Sequence, residues 1–201
     1  MKEARRQNVL RAFFGIGGKG MRLFIAVGLP DSIKEKLYRA SVRLKEQSEK
    51  GTFSRRGNYH ITLAFIGETE RSDDVCRIMD TLSFQRFDVE IGGAGRFSSR
   101  EGDIYWAGVG ESRPLSQIAD RLSNDLRAAG FKIDSRPFKP HITLGRRVVT
   151  RRGFDRAAFS ASLSPMRFTV SRISLMKSER IDGRLTYTEI YSVSERPKDA
   201  L

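Results

Sequence analysis

Apolar residues recur along the chain with two different periods, which predicts alternating strands and amphipathic helices. Apolar runs of five to nine residues between polar or glycine-containing segments predict strands, and these fall at 23–27, 59–66, 87–91, 104–109, 141–149, 168–176 and 185–193. Apolar residues three or four positions apart predict helices, and they extend from Ile33 to Leu44, from Val75 to Leu82 and from Leu115 to Leu126. We expect the last two strands to form a closing pair.

Local signals indicate where two of these helices begin and end. Ser32 followed by Glu35 is typical of a capping box at the start of the first helix. Gly130 follows the third helix, where a glycine in the left-handed conformation commonly ends a helix. Three further glycines, Gly92, Gly93 and Gly95, lack the Lys-Ser/Thr of a phosphate-binding loop and are interpreted as a turn or a bulge.

The two ends of the chain differ from the region between them. Residues 1–20 are basic and end in a glycine-rich run before Met21, so we expect a flexible leader. The run has the G-x-G-x-x-G spacing of dinucleotide-binding sites, but a strand follows it instead of the required helix. We therefore place one domain at 21–195 and a C-terminal tail at 196–201.

The chain also contains a weak internal repeat with an offset of 81 residues. This offset superimposes His60 on His141, the strand 23–26 on 104–107, and Leu37 on Ile118. Each half then consists of a strand, a helix and a strand that begins with histidine. We infer a duplication, while chance similarity between amphipathic elements is the alternative.

The chain has only two histidines, and both begin the tetrapeptide His-Ile-Thr-Leu, at His60 and at His141. Side chains alternate faces along a strand, so His60 and Thr62 share one face, as do His141 and Thr143. Imidazole titrates near pH 6.5, so such a pair can supply one acid and one base. A buried core histidine is the alternative, but it does not explain two identical contexts.

Several segments of the chain resemble the two-histidine (2H) phosphoesterase superfamily, and within it the RNA 2′,3′-cyclic phosphodiesterases, also called 2′-5′ RNA ligases. The likeness covers 21–193, and its main segments are 21–30, 58–67, 137–146 and 174–178 with Tyr187. Two complete His-x-Thr-x motifs make this a specific likeness, whereas one alone would be weak.

The resemblance implies an α+β fold with two pseudo-symmetric lobes, in which two antiparallel sheets line a central cleft and the helices lie outside. It also implies that RNA ending in a 2′,3′-cyclic phosphate is hydrolysed to a 2′-phosphate without a metal or cofactor. By this analogy His60 is the proton donor, His141 is the proton acceptor, and Thr62 and Thr143 hold the phosphate. The residues themselves do not decide which histidine is the acid.

Two further site residues follow from the same resemblance. Arg146, five residues after His141, matches a family arginine near the phosphate, and Phe65, five after His60, matches a position that stacks on a nucleobase. Strict alternation would turn both side chains away from the histidine face. Their roles therefore require a β-bulge or a strand end within each motif.

Composition and charge indicate what kind of ligand the protein binds and where in the cell it works. The net charge is +13 and 27 of the 37 cationic residues are arginine, the side chain that best matches phosphate oxygens. We expect a basic path for longer RNA along Arg55, Arg56, Lys139, Arg147, Arg151 and Arg152, with a solvated basic surface as the alternative. The single cysteine, Cys76, excludes an intrachain disulfide, and the sequence contains no secretory or membrane-spanning pattern. A cytoplasmic monomer is expected.

Other functions remain open on the sequence alone. A metal site would need a third ligand beyond the two histidines, and no further histidine exists. A non-catalytic RNA-binding module on the same fold would account for the basic charge, but it would not need both histidines. Within the enzyme class, the substrate could be another cyclic or 2′-5′-linked nucleotide, and reverse 2′-5′ ligation could accompany hydrolysis.

Overall fold

The computed structural model describes residues 20–196, so the predicted leader and tail lie almost entirely outside the described residues. Nine strands occur in this part of the chain: β1 Met21–Gly28, β2 Ser48–Phe53, β3 His60–Thr69, β4 Phe87–Phe97, β5 Asp103–Val109, β6 His141–Thr150, β7 Met166–Val170, β8 Arg172–Ile181 and β9 Arg184–Ser194. The helices are α1 Asp31–Glu46, α2 Ser72–Asp80, α3 Arg113–Ala128 and α4 Arg156–Ala161. A short 3₁₀ turn, Arg56–Asn58, directly precedes β3.

The strands form two antiparallel sheets, which confirms the predicted α+β class. One sheet has the order β3-β1-β8-β9 and the other β2-β6-β5-β4-β7. Each strand that carries a histidine motif pairs with an earlier strand of its own half, β3 with β1 and β6 with β5. A helix connects each of these pairs, α1 in the first half and α3 in the second, as the internal repeat predicted.

The pairing of the strands shows that the offset between the two halves is one residue shorter than the sequence predicted. Thr62 pairs with Ala26 in the first sheet, and Thr143 pairs with Trp106 in the second. Ala26 therefore corresponds to Trp106, an offset of 80, whereas the sequence predicted 81. The same offset relates the residues opposite the two histidines, because His60 pairs with Gly28 and His141 pairs with Gly108.

The apolar faces of the helices pack into one core cluster together with the inner residues of both sheets. Leu37 and Leu44 of α1 and Leu115, Leu122 and Leu126 of α3 are fully buried. Gly130 adopts a positive φ of 84°, and the amides of Gly130 and Phe131 donate to the carbonyls of Arg127 and Leu126. This is the helix end that the sequence predicted. No helix in the described range is long and apolar enough to cross a membrane.

Some predicted elements were wrong or missing. The capping box is wrong because α1 begins at Asp31, where the carbonyl of Pro30 accepts from Ile33 and Lys34 and places Ser32 inside the helix. The predicted strand 168–176 is divided between β7 and β8, which belong to different sheets. The predicted turn or bulge is partly confirmed, because Gly92 and Gly93 lie where the pairing of β4 with β5 shifts between Ile91 and Ala94, whereas Gly95, also in β4, is paired with β5. The prediction did not include β2 or α4.

Candidate active site

Both histidine motifs contain the same β-bulge. In β3, Thr62 pairs with Ala26 and Ala64 pairs with Ile25, so that Leu63 is the additional residue. In β6, Thr143 pairs with Trp106 and Gly145 pairs with Tyr105, so that Leu144 is the additional residue. Both leucines are buried, and each bulge returns the residue two positions later to the face that carries the histidine. These residues are Phe65 and Arg146, for which the sequence required such a bulge.

His60 opens β3 and is held from both sides of its ring. Its Nδ1 lies 2.8 Å from the carbonyl oxygen of Asn58, and its Nε2 lies 2.9 Å from the hydroxyl of Thr62. Because a carbonyl oxygen can only accept, Nδ1 carries the hydrogen, and the neutral imidazole has its lone pair on Nε2. The imidazole packs between two aromatic rings, with its centroid 4.7 Å from that of Phe24 and 5.1 Å from that of Tyr187.

His141 opens β6 and repeats this arrangement with different neighbours. Its Nδ1 lies 2.7 Å from the carbonyl oxygen of Lys139, again two residues earlier, so its lone pair is also on Nε2. The centroid of its ring lies 5.1 Å from that of Phe97 in a T-shaped arrangement and 6.2 Å from that of Trp106, whose ring is tilted relative to it. Each histidine is thus oriented by one backbone hydrogen bond and two aromatic side chains.

A single cleft of about 330 Å³ contains both imidazoles and both threonines of the motifs. Arg146 also lines it and lies 3.4 Å from the hydroxyl of Thr143. Phe65 does not line this cleft. Its ring is 47% exposed on the histidine face of β3, and the guanidinium of Arg22 lies 5.0 Å above it. The structure therefore brings five of the six predicted site residues together and places Phe65 beyond them.

Residues that the sequence did not name as site residues also line the cleft. Three are arginines, of which Arg55 was predicted as part of the basic path, and the set comprises Arg55, Arg180, Arg184, Thr52, Phe53, Ser54, Asn58, Leu185 and Tyr187. In the part of the chain that the structure describes, no carboxylate lines the cleft and none of its four arginines forms an ion pair. The resulting site is strongly cationic and suits an anionic ligand.

Curling of the first sheet explains why the C-terminal hairpin contributes to the site. Strands β3 and β9 are at opposite edges of that sheet, yet Tyr187 of β9 contacts His60 of β3. Both Arg55 and Asn58 donate to the carbonyl of Leu185, at 3.2 and 3.0 Å. Strand periodicity does not encode this closure, so the sequence pattern could not have identified these residues as neighbours.

Burial and positive charge favour the neutral form of both imidazoles. Burial is the main cause that lowers the pKa of His60 to about 4, and the charges of Arg146 and His141 lower it further. Burial and Arg146 also lower the pKa of His141. The hydrogen bonds to Asn58 and Lys139 oppose these shifts, because they stabilise the imidazolium.

The donor groups of the cleft suit an oxyanion better than a cation. Within residues 20–196, no three His, Cys, Asp or Glu side chains come together as a metal site. The threonine hydroxyls and Arg146 can donate hydrogen bonds to phosphate oxygens, and each Nε2 can exchange a proton with a bound ligand. Cys76 is buried in α2, and burial raises the pKa of its thiol to about 12, so it is not a reactive thiolate.

Comparisons with known proteins agree with this geometry. A model of the 2′-5′ RNA ligase superfamily matches residues 29–182. An RNA 2′,3′-cyclic phosphodiesterase from Methanothermobacter thermautotrophicus is 30% identical over 183 residues, which cover 85% of this chain and 96% of that protein. Another from Geobacillus stearothermophilus is 31% identical over 134 residues, which cover 64% of this chain. The match spans only 43% of that second relative, less than half its length.

A solved structure shows the same fold. The crystal structure of E. coli LigT complexed with 3′-AMP superimposes with a TM-score of 0.75. The match covers 89% of this chain and 100% of that chain, at 24% sequence identity. This likeness concerns the arrangement of strands and helices.

Proposed function

The chain belongs to the 2′-5′ RNA ligase superfamily of two-histidine phosphoesterases, and from this premise we propose that it hydrolyses RNA 2′,3′-cyclic phosphate ends to 2′-phosphomonoesters. The observation that carries the proposal is the cleft itself. Two imidazoles, each with a fixed tautomer, share it with two threonine hydroxyls and four arginines. Among residues 20–196, no carboxylate lines the cleft to repel a phosphate.

The proposed reaction uses one histidine on each side of the phosphorus. His141 accepts a proton from water through Nε2 while the water oxygen bonds to phosphorus. His60, protonated on Nε2, gives its proton to the 3′ oxygen as the P–O3′ bond breaks. The products are a 3′-hydroxyl and a 2′-phosphate, and the enzyme regains its starting state by exchanging one proton between the two imidazoles and solvent.

Thr62, Thr143 and Arg146 bind the non-bridging oxygens in this proposal. Their hydrogen bonds strengthen as negative charge accumulates on these oxygens in the transition state. A terminal 5′-hydroxyl in place of water would give a 2′-5′ bond by the same steps, which is the ligation that accompanies hydrolysis. No step requires a metal ion or cofactor.

The proton-donor role of His60 depends on bound substrate. Its lowered pKa means that the imidazole is neutral near pH 7 in the free protein. A phosphate anion next to the ring stabilises the imidazolium and raises this pKa. Substrate binding therefore supplies the charge that prepares His60 to act as an acid.

Substitution of the histidines tests the proposal. We expect His60→Ala and His141→Ala each to lower turnover of a nucleoside 2′,3′-cyclic phosphate by about 10²-fold or more, because each removes an acid–base group. The double variant should lose much less than the product of the two losses, because the pair acts as a unit. Thermal unfolding of the same variants provides the control for folding.

Two outcomes would contradict this account. Retained turnover together with a large loss of thermal stability would show that the histidines serve the core. Binding of RNA without turnover by the unmodified protein would favour a binding module on the same fold.

A further inference from the structure

The β8–β9 hairpin places two arginines in the cleft that the proposed reaction does not use. Arg180 is the penultimate residue of β8, next to the turn, and Arg184 is the first residue of β9. Both line the cleft that contains the imidazoles. A cyclic phosphodiester carries one negative charge, for which the threonines and Arg146 already provide donors. The hairpin arginines therefore indicate a second negative charge on the substrate.

The hairpin has a defined position relative to the catalytic pair. Its turn consists of Asp182 and Gly183, with φ values of 50° and 72°, as in the tight two-residue turns that match the twist of paired strands. Asn58 donates to the carbonyl of Leu185, while its own carbonyl accepts from His60. One residue thus links the hairpin to the first histidine.

In the described part of the chain, the two hairpin arginines lack the carboxylate partners that two arginines of the predicted basic path have. Arg56 is paired with Glu35 at 3.3 Å and Arg147 with Glu101 at 3.0 Å, so carboxylates balance two residues of the predicted basic path. Within residues 20–196, Arg180 and Arg184 form no ion pair. Arg180 donates one hydrogen bond to the carbonyl of Gly183, which leaves most of its guanidinium donors for a ligand.

An apolar side chain accompanies these cations. Leu185 pairs with Arg180 across the hairpin, is 42% exposed, and lines the cleft. Phosphate-binding arginines beside an exposed apolar side chain suit a nucleotide, since a phosphate and a ribose or base can be bound together.

We propose that Arg180 and Arg184 bind the 5′-phosphate of the nucleotide whose cyclic phosphate is opened. The substrate class is then an RNA end, in which this 5′-phosphate is the link to the preceding nucleotide, and not a nucleoside cyclic phosphate with a free 5′-hydroxyl. The inference rests on the proposed function and specifies its substrate.

The test compares three substrates of the same base: adenosine 2′,3′-cyclic phosphate, its 5′-phosphorylated derivative, and the dinucleotide that ends in the cyclic phosphate. In the unmodified protein, kcat/KM should be at least about tenfold higher for the 5′-phosphorylated derivative and for the dinucleotide than for adenosine 2′,3′-cyclic phosphate. The reason is that the nucleoside cyclic phosphate has no 5′-phosphate to accept charged hydrogen bonds from the two arginines. The Arg180→Gln/Arg184→Gln variant should bring these ratios towards one. The Arg151→Gln/Arg152→Gln variant removes the same charge at exposed positions outside the cleft and should keep the ratios.

Three results would overturn the inference. They are ratios near one in the unmodified protein, equal losses on all three substrates in the hairpin variant, and a preference for the dinucleotide alone. Thermal melts confirm that both variants fold.

A binding measurement separates this inference from the proposed function. Without any hydrolysis, the proposed function fails, but the relative affinities for adenosine 2′,5′-bisphosphate and adenosine 2′-phosphate still test the hairpin. The bisphosphate should bind about tenfold more tightly, and the hairpin variant should remove this advantage. Equal affinities in the unmodified protein would contradict a 5′-phosphate site.

Discussion

At the scale of single residues, the two histidines are alike in how they are held and different in what surrounds them. Each donates Nδ1–H to the carbonyl two residues earlier, which leaves Nε2 for chemistry. Only His60 has Nε2 within hydrogen-bond distance of its own motif threonine, and only for His60 does the pKa fall as low as about 4. The low pKa of His60 opposes its proposed role as proton donor in the free protein, so this role depends on the charge of the bound phosphate, although the sequence contexts of the two histidines are identical.

These pKa shifts predict the pH dependence of the reaction. In the free protein, both imidazoles have a pKa below 6.5, so the form with one protonated and one neutral ring is most populated on the acidic side of neutrality. We expect kcat/KM, which reports the free protein, to be bell-shaped with its maximum below pH 6.5. The kcat profile should lie at higher pH, because bound phosphate raises both pKa values.

Initial rates measured from pH 3.5 to 9 at low and saturating substrate check this. A single-limbed kcat/KM profile, or a kcat profile displaced towards acid, would contradict the assignment of both groups.

The sequence identified the catalytic candidates because composition and motif agree: two histidines, both in the same tetrapeptide. It could not identify Arg180, Arg184 or Tyr187 as site residues, because their approach depends on how far the first sheet curls. Arginine is also so frequent in this chain that residue type alone did not distinguish cleft positions from surface ones. Of the six predicted path residues, the structure places only Arg55 in the lining of the cleft.

At the scale of elements, tight contacts between neighbouring strands support the second histidine. Gly95 of β4 pairs with Trp106 of β5, whose indole covers it and also contacts His141. A Cβ at Gly95 would lie 2.2 Å from the indole ring, so only glycine fits beneath it. The glycine that the sequence attributed to a turn or bulge instead permits an aromatic support for His141.

Gly95→Ala should therefore affect both stability and catalysis. The indole must shift, and we expect a loss of about 1–3 kcal/mol in the free energy of unfolding, as for other overpacked sites, with lower kcat because His141 loses its support. Gly110→Ala is the matched control, since its Cβ would meet the nearest atoms at 3.5 and 3.7 Å. Denaturant unfolding and turnover of both variants test this, and equal behaviour of the two would contradict it.

Periodicity predicted the elements with continuous apolar faces and missed those without them. β2 has the sequence Ser-Glu-Lys-Gly-Thr-Phe and lies at the edge of its sheet, so pairing with β6 forms it without an apolar pattern of its own. α4 is only six residues long, and Asp155 caps it by accepting from the amides of Ala157 and Ala158. The bulges at Leu63 and Leu144 depend on the partner strands, which explains why the sequence could only state that a bulge was required.

At the scale of the whole molecule, a net charge of +13 exceeds what one phosphate requires. The structure concentrates four arginines in the cleft and pairs others with carboxylates. This division predicts different salt dependence for short and long substrates. KM for a nucleoside cyclic phosphate should change little with salt, whereas affinity for an RNA of about ten nucleotides should fall by a log–log slope of about 0.7 for each phosphate bound.

Titration of both ligands between low and high salt measures these slopes. Equal slopes would show that the charge forms only a solvated surface.

The central claim is that the two histidines hydrolyse a 2′,3′-cyclic phosphate without a metal ion. The most direct test incubates the protein in EDTA with an RNA that ends in this group and identifies the product by ³¹P NMR. We predict a 2′-phosphomonoester as the sole hydrolysis product, at a rate that zinc or magnesium does not increase. Loss of turnover in EDTA that either metal restores would contradict the mechanism, and a 3′-phosphate product would contradict the assignment of the bond that breaks.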